Sequence, residues 1–210
     1  MGRGVVTARH VAIYADESCL GNGREGANPG GAGALLEYRK ADASLVRRDL
    51  WVSEPATTNN RMALRSVIAS FGALHADGHA FRVSFTSDSR YLIDGMRDWV
   101  HGWSRRGWVR AGGAIENLGL WGEAIVAASG SQVEWRWVRG HDGHAQNEYV
   151  NDVAVRAARE QSASTGWMES GFDAWYAAKG GAGAKVAAPE PFPATFTAAR
   201  ALPVPPPGRP

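Results

Sequence analysis

The sequence predicts an α/β fold in which a mixed five-stranded sheet, with three antiparallel strands followed by parallel ones, is flanked by helices. Short stretches of alternating apolar and polar residues are typical of half-buried strands. Longer stretches with apolar residues three and four positions apart are typical of helices. Their order along the chain, βββ-α-β-α-α-β-α, favours helices packed on a mixed sheet.

The first three strands are predicted from this alternation and from the turns between them. The stretch HVAIYAD alternates and ends in Asp16. The Gly-rich stretch GNGREGANPGGAG that follows is typical of a turn. The stretches ALLEYR and SLVRRDLWV then predict two further strands of an antiparallel meander.

The remaining elements alternate between helix and strand. An apolar stripe from Leu64 to Phe71 predicts a helix, with Asn59 or Asn60 as its N-cap. The stretch FRVSFTSD predicts a central strand with Asp88 just beyond its end, and SRYLIDGMRDWV predicts the next helix. QVEWRWV predicts the last strand, before the loop RGHDGH and a final amphipathic helix.

The chain of 210 residues has the size of one domain with an appended segment. We assign residues 1–165 to the domain and residues 166–210 to a C-terminal tail. After about residue 178 the sequence is rich in Ala, Pro and Gly and has no strand or helix period, so we expect the tail to be disordered. A polyproline II segment that docks on a partner is the alternative, and the sequence does not identify that partner.

Composition limits the class of protein. The single cysteine excludes an intramolecular disulfide and fits a reducing compartment. We find no apolar run of the roughly 20 residues that a membrane span needs, and no signal-peptide core at the N-terminus. We therefore expect a cytoplasmic protein without a membrane partner. A net charge of +2 neither requires nor excludes binding to nucleic acid.

Two acidic residues follow predicted strands. Asp16 and Asp88 both lie at strand ends, where ligand sites form in sheets of this kind. If the two strands are neighbours, their carboxylates converge and repel each other unless a proton or a divalent cation neutralises them. The sequence therefore indicates a site with a raised pKa or a bound metal.

Several longer motifs make the chain resemble the type 1 ribonuclease H family. They occur in the order and with nearly the spacing of that family over about residues 8–160, with extra residues only in the first Gly-rich turn. The matching motifs are YADESCLGN, TTNNRM, TSDSRYLIDGMRDWVHGWSRRGW and WRWVRGHDGHAQNEYVND, together with the pair Leu120 and Trp121.

This resemblance implies a ribonuclease H-like fold and an endonuclease that cuts the RNA strand of an RNA–DNA hybrid. It also implies two Mg²⁺ ions held by four carboxylates, since two ions can supply a hydroxide and stabilise the leaving oxygen. Asp16 and Asp88 match the first and third carboxylates of the family. His141 matches a histidine that moves a proton or assists product release. A role in DNA replication is a further expectation of the resemblance, and we also expect a monomer, although the sequence does not give the oligomeric state.

The chain departs from the family at two of the four carboxylates. The second, a Glu, falls on Ala63, and the fourth, an Asp, falls on Asn151. Asn keeps a neutral oxygen that can coordinate a metal, and the lost charge predicts weaker metal binding or a preference for Mn²⁺. Such replacements are also ways to trap a nuclease on its substrate, so a deliberate change stays open.

Two neighbouring acids are candidates to compensate. Glu17 replaces the usual glycine of the family, but strand alternation sends it to the face opposite Asp16 unless a bulge intervenes. Asp152 follows Asn151, and helix geometry directs it more towards solvent. The metal site that we predict consists of Asp16, Asp88, Asn151 and Asp152, and Glu17 stays open as the other candidate to compensate.

The substrate-binding positions of the family are better preserved. The resemblance places Thr58, Asn59 and Asn60 in the minor groove of the hybrid, and the 2′-hydroxyl there distinguishes RNA from DNA. Cys19 and Asn22 match neighbouring groups, with Asn28 as a rival to Asn22. The segment WVHGWSRRGWVR matches a basic protrusion of the family that binds the DNA strand. The predicted substrate-binding residues in it are Trp103, Arg105 and Arg106, and Trp99, Trp108 and Arg110 lie in the same segment.

Two functions follow from these residues. The first is an active hybrid endonuclease whose activity is reduced or dependent on Mn²⁺. The alternative is a noncatalytic module that binds RNA–DNA hybrids and has a degenerate active site.

Overall fold

A computed structural model describes residues 8–21, 28–76, 78–140, 142–179 and 186–206. Its strands form one sheet in the order β5-β4-β1-β2-β3-β6. The strands are β1 Arg9–Cys19, β2 Gly30–Arg39, β3 Leu45–Glu54, β4 Phe81–Ser87, β5 Gln132–Trp137 and β6 Met168–Glu169.

The helices alternate with the later strands. A five-residue π-helical stretch, Gly95–Trp99, joins α2 to α3. The helices are α1 Asn59–Leu74, α2 Arg90–Asp94, α3 Val100–Arg105, α4 Leu118–Ala128, α5 Ala145–Glu160 and α6 Phe172–Lys179.

The predicted mixed sheet flanked by helices is confirmed. β1, β2 and β3 pair antiparallel, and β4 and β5 join them in parallel with β1. The strand β6, which pairs antiparallel with β3, makes a sixth strand that the sequence did not predict.

Alternation along β1 separates two apolar clusters. Ile13 and Ala15 belong to the larger cluster, which includes the buried faces of α1 and α4. Ala12 and Tyr14 belong to the smaller cluster, which includes the buried face of α5 and Phe172 of α6. The central strands are therefore covered on both faces, and their ends are left to form the site.

The helix α5 lies unusually close to β2. A Cβ atom on Gly33 would be 2.6 Å from the carbonyl oxygen of Val150, so any side chain at position 33 would push α5 away from the sheet. Gly33 is also the partner of Asp16 in the β1–β2 ladder. This contact sets α5 beside the end of β1 that carries the acidic residues.

Residues beyond 165 differ from the expected disordered tail where they are described. Residues Met168–Glu169 form β6, residues Phe172–Lys179 form α6, and residues 186–206 contact the body of the protein. The amide of Ala199 donates to the carbonyl of Val133 at 2.7 Å, and the rings of Phe192 and Phe196 lie 5.1 and 5.3 Å from His10. The segment gains order from these contacts with the body rather than from a period of its own.

No helix within the described ranges is long and apolar enough to cross a membrane.

Candidate active site

Three carboxylates converge where β1 and β4 end. One oxygen from each of Asp16, Glu17 and Asp88 lies within 4.8 Å of the others. Asp16 is on β1, and Asp88 directly follows the last residue of β4. The predicted convergence of Asp16 and Asp88 is found, and Glu17 joins them.

Glu17 reaches this cluster without a bulge between β1 and β2. The two strands stay in regular register through Cys19, with Asp16 opposite Gly33 and Glu17 opposite Ala32. The pairing of β1 with β4, in contrast, ends at Ala15 and Ser87. We attribute the convergence to this early end of β4, since the longer Glu17 side chain then has room beside β1 to approach Asp88.

The cluster is electrostatically strained without a cation. Burial, together with the charges of Asp88 and Glu17, raises the pKa of Asp16 to about 9. Burial and the charge of Asp88 raise the pKa of Glu17 to about 8, although a hydrogen bond with Ser89 opposes that rise. The backbone amide of Glu17 donates to Asp16 Oδ1 at 2.7 Å, which favours the ionised form of Asp16.

This donor set fits a divalent cation. All three side chains offer hard oxygen ligands, which Mg²⁺ and Mn²⁺ prefer. The Oε2 atom of Glu17 is buried and has no hydrogen-bond partner among the described residues. A buried carboxylate oxygen without a partner is costly, and a metal ion at this point would satisfy it.

The loop after β5 begins against Asp88. A Cβ atom on Gly140 would lie 2.1 Å from Asp88 Oδ2, so glycine is required for this approach. The indole N–H of Trp137 also donates to the backbone carbonyl of Asp88 at 2.9 Å. His141, the predicted catalytic histidine, is the next residue after Gly140 and lies outside the described residues.

The two positions that depart from the family pattern differ in their surroundings. Ala63 is fully buried in the larger apolar cluster, so it supplies no oxygen. Asn151 is half-buried on α5, one residue after the contact between Val150 and Gly33. Its place beside the end of β1 is compatible with the predicted role of a neutral fourth ligand.

Asp152 is not brought into the carboxylate cluster. It is exposed on α5, and its Oδ2 accepts a hydrogen bond of 2.8 Å from the indole of Trp175. Lys179 Nζ lies 3.3 Å from the same oxygen. The side chain therefore contacts α6, and the acid that accompanies Asp16 and Asp88 is Glu17.

The predicted minor-groove residues lie at the start of α1. Thr58 is its N-cap, and the side-chain oxygen accepts from the amide of Arg61 at 3.3 Å. Asn59 and Asn60 form its first turn. The sulfur of Cys19 and the methyl carbon of Thr57 both lie within 3 Å of the point where a Cβ on Gly30 would stand. Cys19 is therefore next to this segment.

Burial raises the pKa of the Cys19 thiol to about 11, so this side chain is neutral near pH 7. Asn22, the other predicted residue of this group, falls outside the described residues. The backbone carbonyl of Asn28, the alternative to Asn22, accepts a hydrogen bond of 3.0 Å from the backbone amide of Thr57. Asn28 is thus attached to the segment that leads into α1.

The basic protrusion follows the π-helical stretch. Trp103 packs against the buried Trp121 with ring centroids 5.6 Å apart, so it serves the core as well as the surface. Arg105 and Arg106 are exposed at the end of α3. A cleft of about 280 Å³ includes Trp103 and is lined by Tyr91, Trp99, Trp103, Arg110, Ile115 and Glu116.

Comparison with known proteins assigns the family. The family model described as RNase H matches residues 8–159. The chain belongs to the ribonuclease H family. The resemblance, the fold and the enzyme class predicted from the sequence are thereby confirmed.

Relatives in this family cover most of the chain. The Ribonuclease H of Erythrobacter litoralis is 41% identical over 155 residues, which are 73% of this chain and 99% of the relative. The Ribonuclease H of Shewanella halifaxensis is 39% identical over 151 residues, which are 71% of this chain and 86% of the relative.

One solved structure matches beyond the family domain. A crystal structure of LC9-RNase H1, described as a type 1 RNase H with the type 2 active-site motif, is 58% identical with a TM-score of 0.91. The match covers 98% of this chain and 99% of that one. The similarity therefore includes the residues after 159, which the family model does not cover.

Sequence reasoning underestimated Glu17 and missed Trp137. The signal for Glu17 was present, because an acid replaces the usual glycine of the family immediately after Asp16. The role of Trp137 gave no such signal, since its contact with Asp88 depends on the pairing of β4 with β5.

Proposed function

We propose that the protein is a metal-dependent endonuclease that hydrolyses the RNA strand of RNA–DNA hybrids, with Asp16, Glu17 and Asp88 as its charged metal ligands. The convergence of these three carboxylates within 4.8 Å is the observation that supports this proposal most directly. Asn151 is the proposed neutral fourth ligand. Mg²⁺ is the expected cofactor, with Mn²⁺ as a substitute.

The departures from the type 1 pattern have a common explanation in this proposal. The carboxylate lost at Ala63 on α1 is replaced by Glu17 on β1. The description of LC9-RNase H1 as a type 1 RNase H with the type 2 active-site motif supports this interpretation, because that protein is 58% identical. A noncatalytic hybrid-binding module is less favoured, since three carboxylates are retained in one cluster.

The residues of the chain have distinct tasks in the proposed reaction. Two bound ions would supply a hydroxide near neutral pH and stabilise the leaving oxygen. Asp16, Glu17 and Asp88 would hold them, and Trp137 and Gly140 keep the backbone and carboxylate of Asp88 in place. His141 is the proposed residue for proton transfer.

The substrate is held by groups outside the acidic cluster. Thr58, Asn59 and Asn60 at the start of α1, with Cys19 and Asn22, are proposed to contact the minor groove, where the ribose 2′-hydroxyl marks the RNA strand. Trp103, Arg105 and Arg106 are proposed to contact the DNA strand. A monomeric state, a cytoplasmic location and a role in DNA replication stay predictions from the sequence.

A cleavage assay tests this function. We expect an end-labelled RNA–DNA hybrid to be cut in the RNA strand with Mg²⁺ or Mn²⁺, and cleavage to fall by at least about 100-fold in Asp16→Asn, Glu17→Gln and Asp88→Asn. Asp152→Asn is the matched control, because that carboxylate contacts α6, and it should cleave like the unchanged protein. Intact RNA under all conditions, or loss of cleavage only in Asp152→Asn, would contradict the proposed site.

A further inference from the structure

A stacked arginine lies beside the carboxylate cluster. The guanidinium carbon of Arg90 is 3.9 Å from the ring centroid of Trp137. Both side chains are open to solvent, with 63% of the Arg90 side chain and 37% of Trp137 exposed. Arg90 follows Asp88 by two residues, so this exposed cation is close to the proposed reaction centre.

Trp137 forms a fixed base for this arginine. It ends β5, where it pairs with Ser87 of β4. Its indole N–H donates to the carbonyl of Asp88 at 2.9 Å, so the ring is attached to the backbone of a proposed metal ligand. An arginine that stacks on such a ring loses little further freedom when it binds an anion.

Apart from the contact with Trp137, local interactions do not explain the position of Arg90. It is the first residue of α2, and a cation in the first turn of a helix is disfavoured by the helix dipole. Its ion pair with Asp94 has an N–O distance of 3.9 Å, which is longer than a hydrogen bond. An exposed pair of this kind contributes little to folding.

We propose that Arg90, held on the face of Trp137, binds a backbone phosphate of the hybrid next to the bond that is cleaved. The planar guanidinium suits the oxygens of a phosphate, and the acidic cluster beside it would repel that phosphate without a cation. This proposal rests on the proposed function, since it concerns the same substrate. It makes Arg90 a positioning residue that sets the register of the hybrid.

Equilibrium binding tests Arg90 separately from catalysis. The protein that keeps Arg90 and each Arg90 variant also carry Asp16→Asn, which prevents cleavage. Their Kd for a labelled hybrid is measured by fluorescence anisotropy between 50 and 200 mM salt. We expect Arg90→Ala to raise Kd about fivefold to tenfold and to reduce the slope of log K against log salt by about one. Arg90→Lys keeps the charge but not the planar stack, so its Kd should be intermediate.

Lys40→Ala is the control for loss of one positive charge. Lys40 is exposed in the turn after β2, seven residues beyond Gly33 and therefore at the other end of the sheet from Asp16. Its Kd and salt slope should change little. Equal effects of Arg90→Ala and Lys40→Ala would overturn the proposed contact, because they would show only the effect of net charge.

Neutral linkages locate the phosphate. A series of hybrids is made in which one phosphate at a time is replaced by a methylphosphonate. At one linkage beside the cleaved bond, Arg90→Ala should have no further effect on Kd; an effect that persists at every linkage would refute the assignment. Failure of the proposed function has a different signature, namely no RNA cleavage by the unchanged protein in Mg²⁺ or Mn²⁺.

Discussion

Glu17→Gln is the substitution that tests the carboxylate cluster most directly. It keeps the size and a neutral oxygen of the side chain and removes its charge. At pH 7 the raised pKa of Glu17, about 8 against an ordinary 4.5, implies that this group opposes folding of the metal-free protein by roughly 3 kcal/mol. The variant should therefore be more stable than the unchanged protein when no metal is present.

The pH dependence of this difference has a definite sign. Because the folded-state pKa lies above the unfolded-state value, the native protein binds the Glu17 proton more tightly than the unfolded chain does. Stability of the unchanged protein is therefore lost as pH rises from about 4.5 to about 8, and Glu17→Gln is spared this loss. The advantage of the variant should be small at pH 5 and largest near pH 8.

Urea unfolding in EDTA at pH 5 and pH 8 measures this advantage. Added Mg²⁺ or Mn²⁺ should reduce it, since metal stabilises the protein that retains Glu17, while RNA cleavage by the variant should fall at least about 100-fold. A variant that is less stable than the unchanged protein at pH 8 in EDTA, or a difference that does not vary with pH, would refute the strained cluster.

Three further variants test neighbouring features. Restoring the family pattern with Glu17→Gly and Ala63→Glu together should recover about tenfold of the cleavage lost in Glu17→Gly alone. No recovery in a double variant whose circular dichroism spectrum is unchanged would show that position 63 does not face the site. Gly140→Ala should lower cleavage about 10- to 100-fold with the circular dichroism spectrum unchanged, because its Cβ would meet Asp88 Oδ2 at 2.1 Å. Gly72→Ala, where nothing lies within 4 Å, is its control and should leave cleavage unchanged. Ending the chain at residue 185 should lower the free energy of unfolding by about 2–4 kcal/mol in urea, through loss of the Phe192 and Phe196 contacts; an unchanged midpoint would show that the segment does not stabilise the body.

The central part of the fold was predictable because its pattern is local. Alternation in β1 correctly separated Ile13 and Ala15 from Ala12 and Tyr14, since each face of the strand meets its own apolar cluster. The convergence of Asp16 and Asp88 was also predictable, because each residue lies at the end of a predicted strand with a readable pattern and the two strands are neighbours. Periodicity was sufficient wherever a helix or strand is long enough to show it.

The missed features depend on contacts between distant residues. β6 has two residues, which is too short for any period, and residues 186–206 have no period at all. Their order comes from contacts such as that of Ala199 with Val133. Alternation predicted that Glu17 points away from Asp16, yet the two carboxylates share one cluster. The end of β4 at Ser87, which leaves room for this side chain, is a property of the neighbouring strand and not of β1.

In the proposed site, the exchange of an acid between α1 and β1 separates two tasks that the resemblance assigns to one helix of the type 1 pattern. In that pattern one helix both contacts the minor groove and contributes a metal ligand. Here the first turn of α1 keeps Asn59 and Asn60, while Ala63, one turn later, is only packing. Because the proposed metal ligands do not include a residue of α1, substitutions in the first turn of α1 are expected to change substrate selectivity without removing a ligand.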